Sequence, residues 1–408
     1  MQSDIPKNQD HPVTDVTRRY RRHVQVLIFG LAAYVALAAG VNLWIDPWEI
    51  WRPLSASDRP HTMNNERISL ANDIRNSDKF EVLLLGSSRV RYLFDKGDSR
   101  HTQIDLTRPF FGEKRAFDAA LAGANIHHMR RVFEHALRYH PVSDLVLLLD
   151  DVMMNTYRPL GNGWNEANYY GSSNYLTGLE RVLSLADFSM LKSSTNILRA
   201  RIETPAKDAN MKVLGIPEVW KNDTEEFSRR DLYGCYEIGP SSRDDLDRLL
   251  TLAKQHNVRV TIIASFIHPV LFEYFYRSDK GAGLRLFMSA VGELAIRHDV
   301  PAWYFSPFTS ITSGTPRIGY SNPEFFDRPD FYDPGHANYL IGKRLLEWTL
   351  KGVRHDDMQG YRLDKSSPDE ILSSIEPGRT LRIQNNDIQF LDFIVSNPLI
   401  AGHACPAR

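Results

Sequence analysis

The stretch from Phe80 to Arg89, FEVLLLGSSR, constrains the fold of this chain more than any other. Val82 to Leu85 form a short, continuous apolar run that ends at Gly86, which is typical of a buried strand in a sheet covered on both faces. Gly86 permits a sharp turn, so Ser87 and Ser88 are predicted at the carboxyl end of that strand, where open α/β sheets bind their ligands. A serine hydroxyl there can be a nucleophile if a base reaches it. The structural alternative is a Gly-Ser turn in which a serine caps a helix.

A second motif, Asp333-Pro334-Gly335-His336, precedes an amphipathic helix predicted from Tyr339 to Leu350. Asp333 and His336 are three residues apart, so one turn can present an imidazole together with its orienting carboxylate. A serine nucleophile needs this pair, because the imidazole accepts the hydroxyl proton and the carboxylate fixes the tautomer and stabilises the imidazolium. The alternative is a Pro-Gly turn capped by the aspartate. The order of the two motifs favours a triad of Ser88, His336 and Asp333.

Together these motifs resemble those of the SGNH (GDSL-like) hydrolases, over Phe80 to about Leu350. More narrowly, the chain resembles the membrane-anchored bacterial branch, which includes the periplasmic O-acetyltransferases of alginate export and the protein of teichoic-acid D-alanylation. The resemblance implies an α/β fold, a three-layer α/β/α domain with a parallel sheet. It also implies that Ser88 is the nucleophile, with Ser87 standing where the family usually has Asp.

The resemblance further implies an oxyanion hole. Gly123, predicted to follow the second strand, matches the family's second block best. The family's Gly-x-Asn-Asp block is not present as such, since the chain reads DDVMMN after the apolar strand Leu145 to Leu149, and Asn155 is the matching donor. Three further residues are candidate substrate contacts: Ser87, Arg89 and His268.

Residues 24–45 form an uncharged apolar run that is long enough to cross a hydrocarbon core of ~30 Å. Four arginines lie at positions 18, 19, 21 and 22, against the single Arg52 close behind the run, which predicts a cytoplasmic N-terminus and a periplasmic remainder. The alternative is a cleaved signal peptide, because Ala36-Leu37-Ala38 is a small-x-small site. The run continues past that site, which favours a retained anchor in a bacterial inner membrane.

The predicted organisation has five parts. They are a cytoplasmic tail (1–23), a transmembrane helix (24–45), a juxtamembrane tether (46–79), the SGNH-like domain (80–350, with an insertion at about 156–240) and a C-terminal extension (351–408). Lys and Arg number 49 against 50 Asp and Glu, so no global positive field attracts nucleic acid. Cys235 and Cys405 are too few for a cysteine metal cluster or a disulfide framework and leave one bridge open. No metal or cofactor is predicted.

These features predict a membrane-anchored serine esterase or O-acyltransferase that acts on acyl groups, above all acetyl, of an envelope or exported polysaccharide or of a small ester. The family resemblance implies a polytopic membrane acyltransferase as a partner. The alternative is a catalytically inactive scaffold or a glycan-binding subunit of a polysaccharide modification or export complex. The missing Gly-x-Asn-Asp block favours that alternative, whereas the complete set of Ser88, Asp333 and His336 favours an enzyme.

Overall fold

The structure is a computed structural model that describes residues 13–45, 70–71, 73–94, 104–121, 123–157, 191–192, 194–195, 198, 235–264, 266–309, 331–333 and 335–385. These residues form an α/β fold with a mostly parallel sheet and one long apolar helix near the N-terminus. The chain divides into two compact units. The first comprises Met1–His61 and Ser173–Ala206, and the second comprises Thr62–Ser172 and Lys207–Arg408.

Helix α1, Val13–Ile45, belongs to the first unit and begins ahead of the predicted span. Its segment Arg18–Ile45 has 28 residues and a mean hydropathy of 2.2, so it is long and apolar enough to span a membrane. One face near its C-terminal end is covered, because Ala38, Asn42 and Ile45 are buried at helical spacing. Ser194 Oγ donates a hydrogen bond to Asn42 Oδ1 at 2.8 Å. A described part of the predicted insertion therefore contacts this helix.

A six-stranded sheet organises the second unit. Among the described residues the strands are β1 Val82–Gly86, β2 Ala116–Ala120, β3 Asp144–Leu149, β4 Arg259–Ala264, β5 Ala302–Phe305, β6 Phe331–Asp333, β7 His336–Ala337 and β8 Gly360–Arg362. The sheet order is β2-β1-β3-β4-β5-β8, with β1 to β5 parallel and β8 antiparallel to β5. Strands β6 and β7 form a separate antiparallel hairpin.

The order of the strands creates one switch point. Strand β1 pairs with β2 on one side and with β3 on the other, so the chain reverses its direction across the sheet at β1. In open parallel sheets such a reversal leaves a crevice at the carboxyl ends of the two central strands. Strands β1 and β3 are fully buried, as their continuous apolar sequences predicted. The predicted α/β class with a parallel sheet is therefore confirmed.

The helices of the second unit form two packed groups. Their bounds are α2 Ser88–Phe94, α3 Ile104–Phe111, α4 Ile126–Tyr139, α5 Pro240–Gln255, α6 Pro269–Asp279, α7 Ala282–His298, α8 Tyr339–Lys351 and α9 Pro368–Gln384. Helix α5 packs between α4 and α7, and α7 also contacts α6 and α9. Helix α8 contacts α2 and α3. Residues 70–71 and 73–76 are helical as well, inside the predicted tether.

The C-terminal extension, for which the sequence suggested no role, continues the domain. Strand β8 adds to the sheet through β5, with Trp303 opposite Arg362. Helix α9 is held to α6 by the fully buried Glu273, which pairs with Arg379 through two hydrogen bonds and also with Arg277. The Arg379 guanidinium also lies 4.5 Å from the centre of the Tyr276 ring. Residues 360–384 are thus part of the fold.

Candidate catalytic site

The turn that follows β1 depends on Gly86. Strand β1 ends at this residue and helix α2 begins at Ser88, two positions later. A Cβ at position 86 would overlap the Val90 side chain and lie 2.6 Å from the Leu148 carbonyl oxygen. Only glycine lets the chain turn this tightly against β3, and the turn places two serines at the carboxyl edge of the sheet.

Ser88 and His336 meet at this edge. Ser88 Oγ lies 2.8 Å from His336 Nε2, across 248 residues of sequence. This distance is within hydrogen-bonding reach and suits proton transfer between a hydroxyl and an imidazole. Ser88 is half-buried, while His336 is 8% exposed, so the pair lies at the surface of the domain without being fully open to water. The fold therefore brings together the predicted nucleophile and the predicted base.

Asp333 lies opposite His336 in the hairpin of β6 and β7. The backbone register pairs Asp333 with His336 and Phe331 with Ala337. The side chain of Asp333 lies outside the described part of the chain. Its role as the carboxylate that orients His336 stays a prediction.

Helix α8 holds His336 in place from behind. Asn338 caps the helix, its Oδ1 accepting a hydrogen bond from the Ile341 backbone amide at 3.3 Å. One turn further, Gly342 touches the backbone of α2, because a Cβ there would overlap the Leu93 carbonyl oxygen. Close contact between α2 and α8 thus sets the separation of Ser88 and His336, which lie near the starts of these two helices.

Ser87 points to a different partner. Its Oγ donates a hydrogen bond to Asp150 Oδ2 and accepts one from the Arg89 backbone amide at 3.2 Å. The Arg89 guanidinium lies 3.3 Å from Asp150 Oδ1 and 3.3 Å from Asp151 Oδ1. All four residues are buried. The two aspartates were not predicted as site residues. Two acidic residues directly after an apolar strand do indicate a polar cluster at the carboxyl edge of the sheet.

The two candidate oxyanion residues lie in the turns that follow β2 and β3. Gly123 has a φ of +66° in the turn after β2, a conformation that favours glycine. That turn is tied to the β1 turn, because the Leu121 amide donates to the Gly86 carbonyl at 2.9 Å. Asn155 Oδ1 accepts hydrogen bonds from the amides of Tyr157 at 3.2 Å and Glu237 at 3.3 Å, so it organises the loop after β3. Their oxyanion roles stay predictions.

His268 lies behind the β6–β7 hairpin. It caps helix α6 through Nδ1, which accepts from the Val270 amide at 3.3 Å. Its ring packs edge-on against Phe331, with the ring centres 5.3 Å apart. Burial lowers the pKa of His268 to about 3, so the imidazole is neutral at physiological pH. In this position His268 packs against the strand that carries Asp333, and its substrate contact stays a prediction.

The segment before α5 connects this region to a disulfide. Cys235 is disulfide-bonded, and the one other cysteine in the sequence, Cys405, lies outside the described residues. The adjacent Tyr236 hydroxyl donates to the Asp151 carbonyl oxygen at 2.6 Å. Within the described ranges, no group of three or more His, Cys, Asp or Glu side chains is arranged to hold a metal ion.

Comparisons of the chain with protein-family models, with curated proteins and with solved structures found no match. The resemblance to SGNH hydrolases therefore stays a prediction from the two sequence motifs.

Proposed function

We propose that this protein is a serine esterase or O-acyltransferase of the SGNH type, with its helices on both faces of the sheet in three layers. The observation that carries the proposal is the 2.8 Å distance between Ser88 Oγ and His336 Nε2 at the carboxyl end of β1. A hydroxyl is a weak nucleophile until a base accepts its proton, and an imidazole at this distance supplies that base.

The reaction runs in two halves. Ser88 Oγ attacks the ester carbonyl while His336 accepts its proton, and the acyl group becomes attached to Ser88 when the alcohol leaves with the proton that His336 returns. Water then releases the acyl group in a hydrolase, or a sugar hydroxyl accepts it in a transferase, and in either case His336 takes up the attacking proton and returns it to Ser88. Asp333 orients the imidazole. The amides of Ser88 and Gly123, with Asn155, stabilise the oxyanion.

The proposed substrate is an envelope or exported polysaccharide, whose acyl ester is cleaved in a hydrolase or whose hydroxyl accepts the acyl group in a transferase, and the proposed partner is a polytopic membrane acyltransferase. Two features support a periplasmic location for the site. Helix α1 can anchor the chain, with four arginines before its apolar part. Cys235 forms a disulfide, and disulfides are typical of compartments outside the reducing cytoplasm.

A fluorophosphonate–biotin probe tests the nucleophile directly. We expect the full-length protein in detergent to be labelled, and we expect Ser88→Ala and His336→Ala to lose the label while keeping their circular dichroism. Ser374→Ala is the matched control, because Ser374 is an exposed serine whose hydroxyl bonds only within α9. If the folded wild-type protein is not labelled, the proposed enzymatic function is wrong, and the inactive scaffold or glycan-binding subunit is favoured.

A further inference from the structure

A buried charged cluster lies beside the proposed nucleophile. It consists of Ser87, Arg89, Asp150 and Asp151, which are 3%, 4%, 2% and 0% exposed. We call this group the Arg89 cluster. It joins the turn after β1 to the turn after β3, which are the two strands that flank the switch point of the sheet.

The hydrogen bonds of the Arg89 cluster converge on Ser87. Its hydroxyl donates to Asp150 and accepts from the Arg89 amide, so both hydrogen-bonding directions of Ser87 Oγ are used inside the protein. The Arg89 guanidinium donates a hydrogen bond to Asp151 Oδ1 at 3.3 Å and lies at ion-pair distance, also 3.3 Å, from Asp150 Oδ1. Tyr236 adds a third chain segment through its bond to the Asp151 carbonyl oxygen.

Burying these charges does not by itself stabilise the fold. Two carboxylates face one guanidinium in a buried environment, and well-packed apolar residues commonly replace a buried ion pair with no loss of stability. A charged group with a fixed hydrogen-bond geometry orients the hydroxyl that it binds, which apolar packing does not do. That hydroxyl belongs to the residue next to Ser88.

We propose that the Arg89 cluster is a positioning device that determines which of the two adjacent serines faces His336. Successive side chains leave the backbone in different directions, so holding Ser87 toward Asp150 turns Ser88 toward His336. The cluster acts through Ser87, and neither Arg89 nor Asp150 touches the reacting atoms. The proposal rests on the proposed function. It differs from a substrate-binding role for Ser87 and Arg89, which would act on KM.

Steady-state kinetics on p-nitrophenyl acetate with the full-length protein separate these roles. We expect Asp150→Ala to lower kcat by about tenfold and to change KM by less than about twofold, because misalignment of the nucleophile affects the transition state more than substrate binding. We expect Asp150→Asn, which keeps an acceptor oxygen for Ser87, to recover kcat to within about fivefold of the wild type. Ser87→Ala should lower kcat by about five- to tenfold.

Glu273→Gln is the matched control, because Glu273 is also a fully buried carboxylate paired with an arginine but belongs to the contact between α6 and α9. It should lower the melting temperature and leave kcat unchanged below that temperature. A rise in KM at unchanged kcat in Ser87→Ala or Asp150→Asn would overturn the proposal in favour of substrate contact. If Asp150→Ala does not fold, the other two variants decide in the same way.

A crystal structure of Ser87→Ala gives a test that does not depend on activity. We expect the distance from Ser88 Oγ to His336 Nε2 to lengthen from the 2.8 Å of the wild-type chain to beyond hydrogen-bonding range. An unchanged distance would overturn the positioning proposal. Absence of fluorophosphonate labelling in the wild type would instead overturn the proposed function, and the crystal structure would still decide the role of the cluster.

Discussion

Ser87 and Ser88 are adjacent, chemically identical and both near the carboxyl end of β1, yet they have separate partners. Ser87 is bonded to Asp150 and to the Arg89 amide, whereas Ser88 lies 2.8 Å from His336 Nε2. The family resemblance selected Ser88 as nucleophile, and that role stays a prediction. An imidazole is a stronger base than a carboxylate, so the hydroxyl beside His336 is the better candidate for proton transfer.

The predicted role of the Asp333 side chain can be tested directly by substitution. We expect Asp333→Asn to keep the fold and to lose at least about 10³-fold in kcat, because an amide favours the wrong imidazole tautomer and cannot stabilise the imidazolium. Turnover of a small acetyl ester measures the loss, and circular dichroism checks the fold. Asp247→Asn is a matched control, since Asp247 also pairs with a histidine, His298, but lies in the contact of α5 with α7. Wild-type turnover in Asp333→Asn would show that another group orients His336.

At the scale of secondary-structure elements, the contact of α2 with α8 places the side chains of Ser88 and His336 within reach of each other. Ser88 is the first residue of α2, and His336 lies three residues before the start of α8. Gly342 lets the two helix backbones touch, because there is no Cβ to meet the Leu93 carbonyl. A wider spacing of these helices would move the imidazole away from the hydroxyl.

We therefore expect Gly342→Ala to lower the rate of fluorophosphonate labelling by more than about tenfold and to destabilise the protein by about 1–3 kcal/mol through overpacking. Labelling kinetics and urea unfolding measure the two effects. Gly292→Ala is the matched control, since a Cβ at Gly292 in α7 would lie 2.6 Å from the Leu363 carbonyl oxygen, away from the pair. It should destabilise the protein without slowing the labelling of folded molecules. Equal slowing in both variants would mean that general loosening, and not the spacing of α2 and α8, controls the rate.

At the scale of the whole molecule, buried histidines make stability depend on pH. His135 of α4 is 2% exposed and its Nε2 lies 2.9 Å from the carbonyl oxygen of Ala71, one of the helical residues at 70–71 and 73–76. Burial lowers the pKa of His135 to about 4, with further lowering by Arg138, Arg75 and His140, although the bond to Ala71 opposes the shift. The unfolded chain therefore binds a proton at a higher pH than the folded chain does.

The direction of this pH dependence follows from the linkage between proton binding and folding. Between the unfolded value of 6.5 and the folded value of about 4, the unfolded state binds more protons, so stability is full above pH 6.5 and falls as the pH decreases through that window. We expect His135 alone to cost about 3 kcal/mol between pH 7 and pH 4. Urea unfolding at both pH values measures the change, and His135→Gln should reduce it. An unchanged pH dependence in His135→Gln would assign the acid sensitivity to other groups.

Local sequence patterns were sufficient for the central elements. Strand β3 and helix α8 lie within one residue of the predicted bounds, since a continuous apolar run is required of a strand buried on both faces and an apolar stripe is required of a helix packed on one side. Helix α6 was missed. All its residues from Pro269 to Phe275 are buried, so it lacks the polar face that produces a helical period. Strand β8 was missed because its three residues depend on pairing with β5.

The sequence by itself determined the apolar helix, the strands that end at Gly86 and Leu149, and the two motifs that carry Ser88 and His336, because each depends on neighbouring residues and on a local period. Only the tertiary structure decided that β1 lies between β2 and β3 and that α8 presses on α2. The same long-range packing brought Asp150 to Ser87, 63 residues away, and His336 to Ser88, 248 residues away. Such distances are set by buried contacts between elements that are remote in sequence, and no local pattern encodes them.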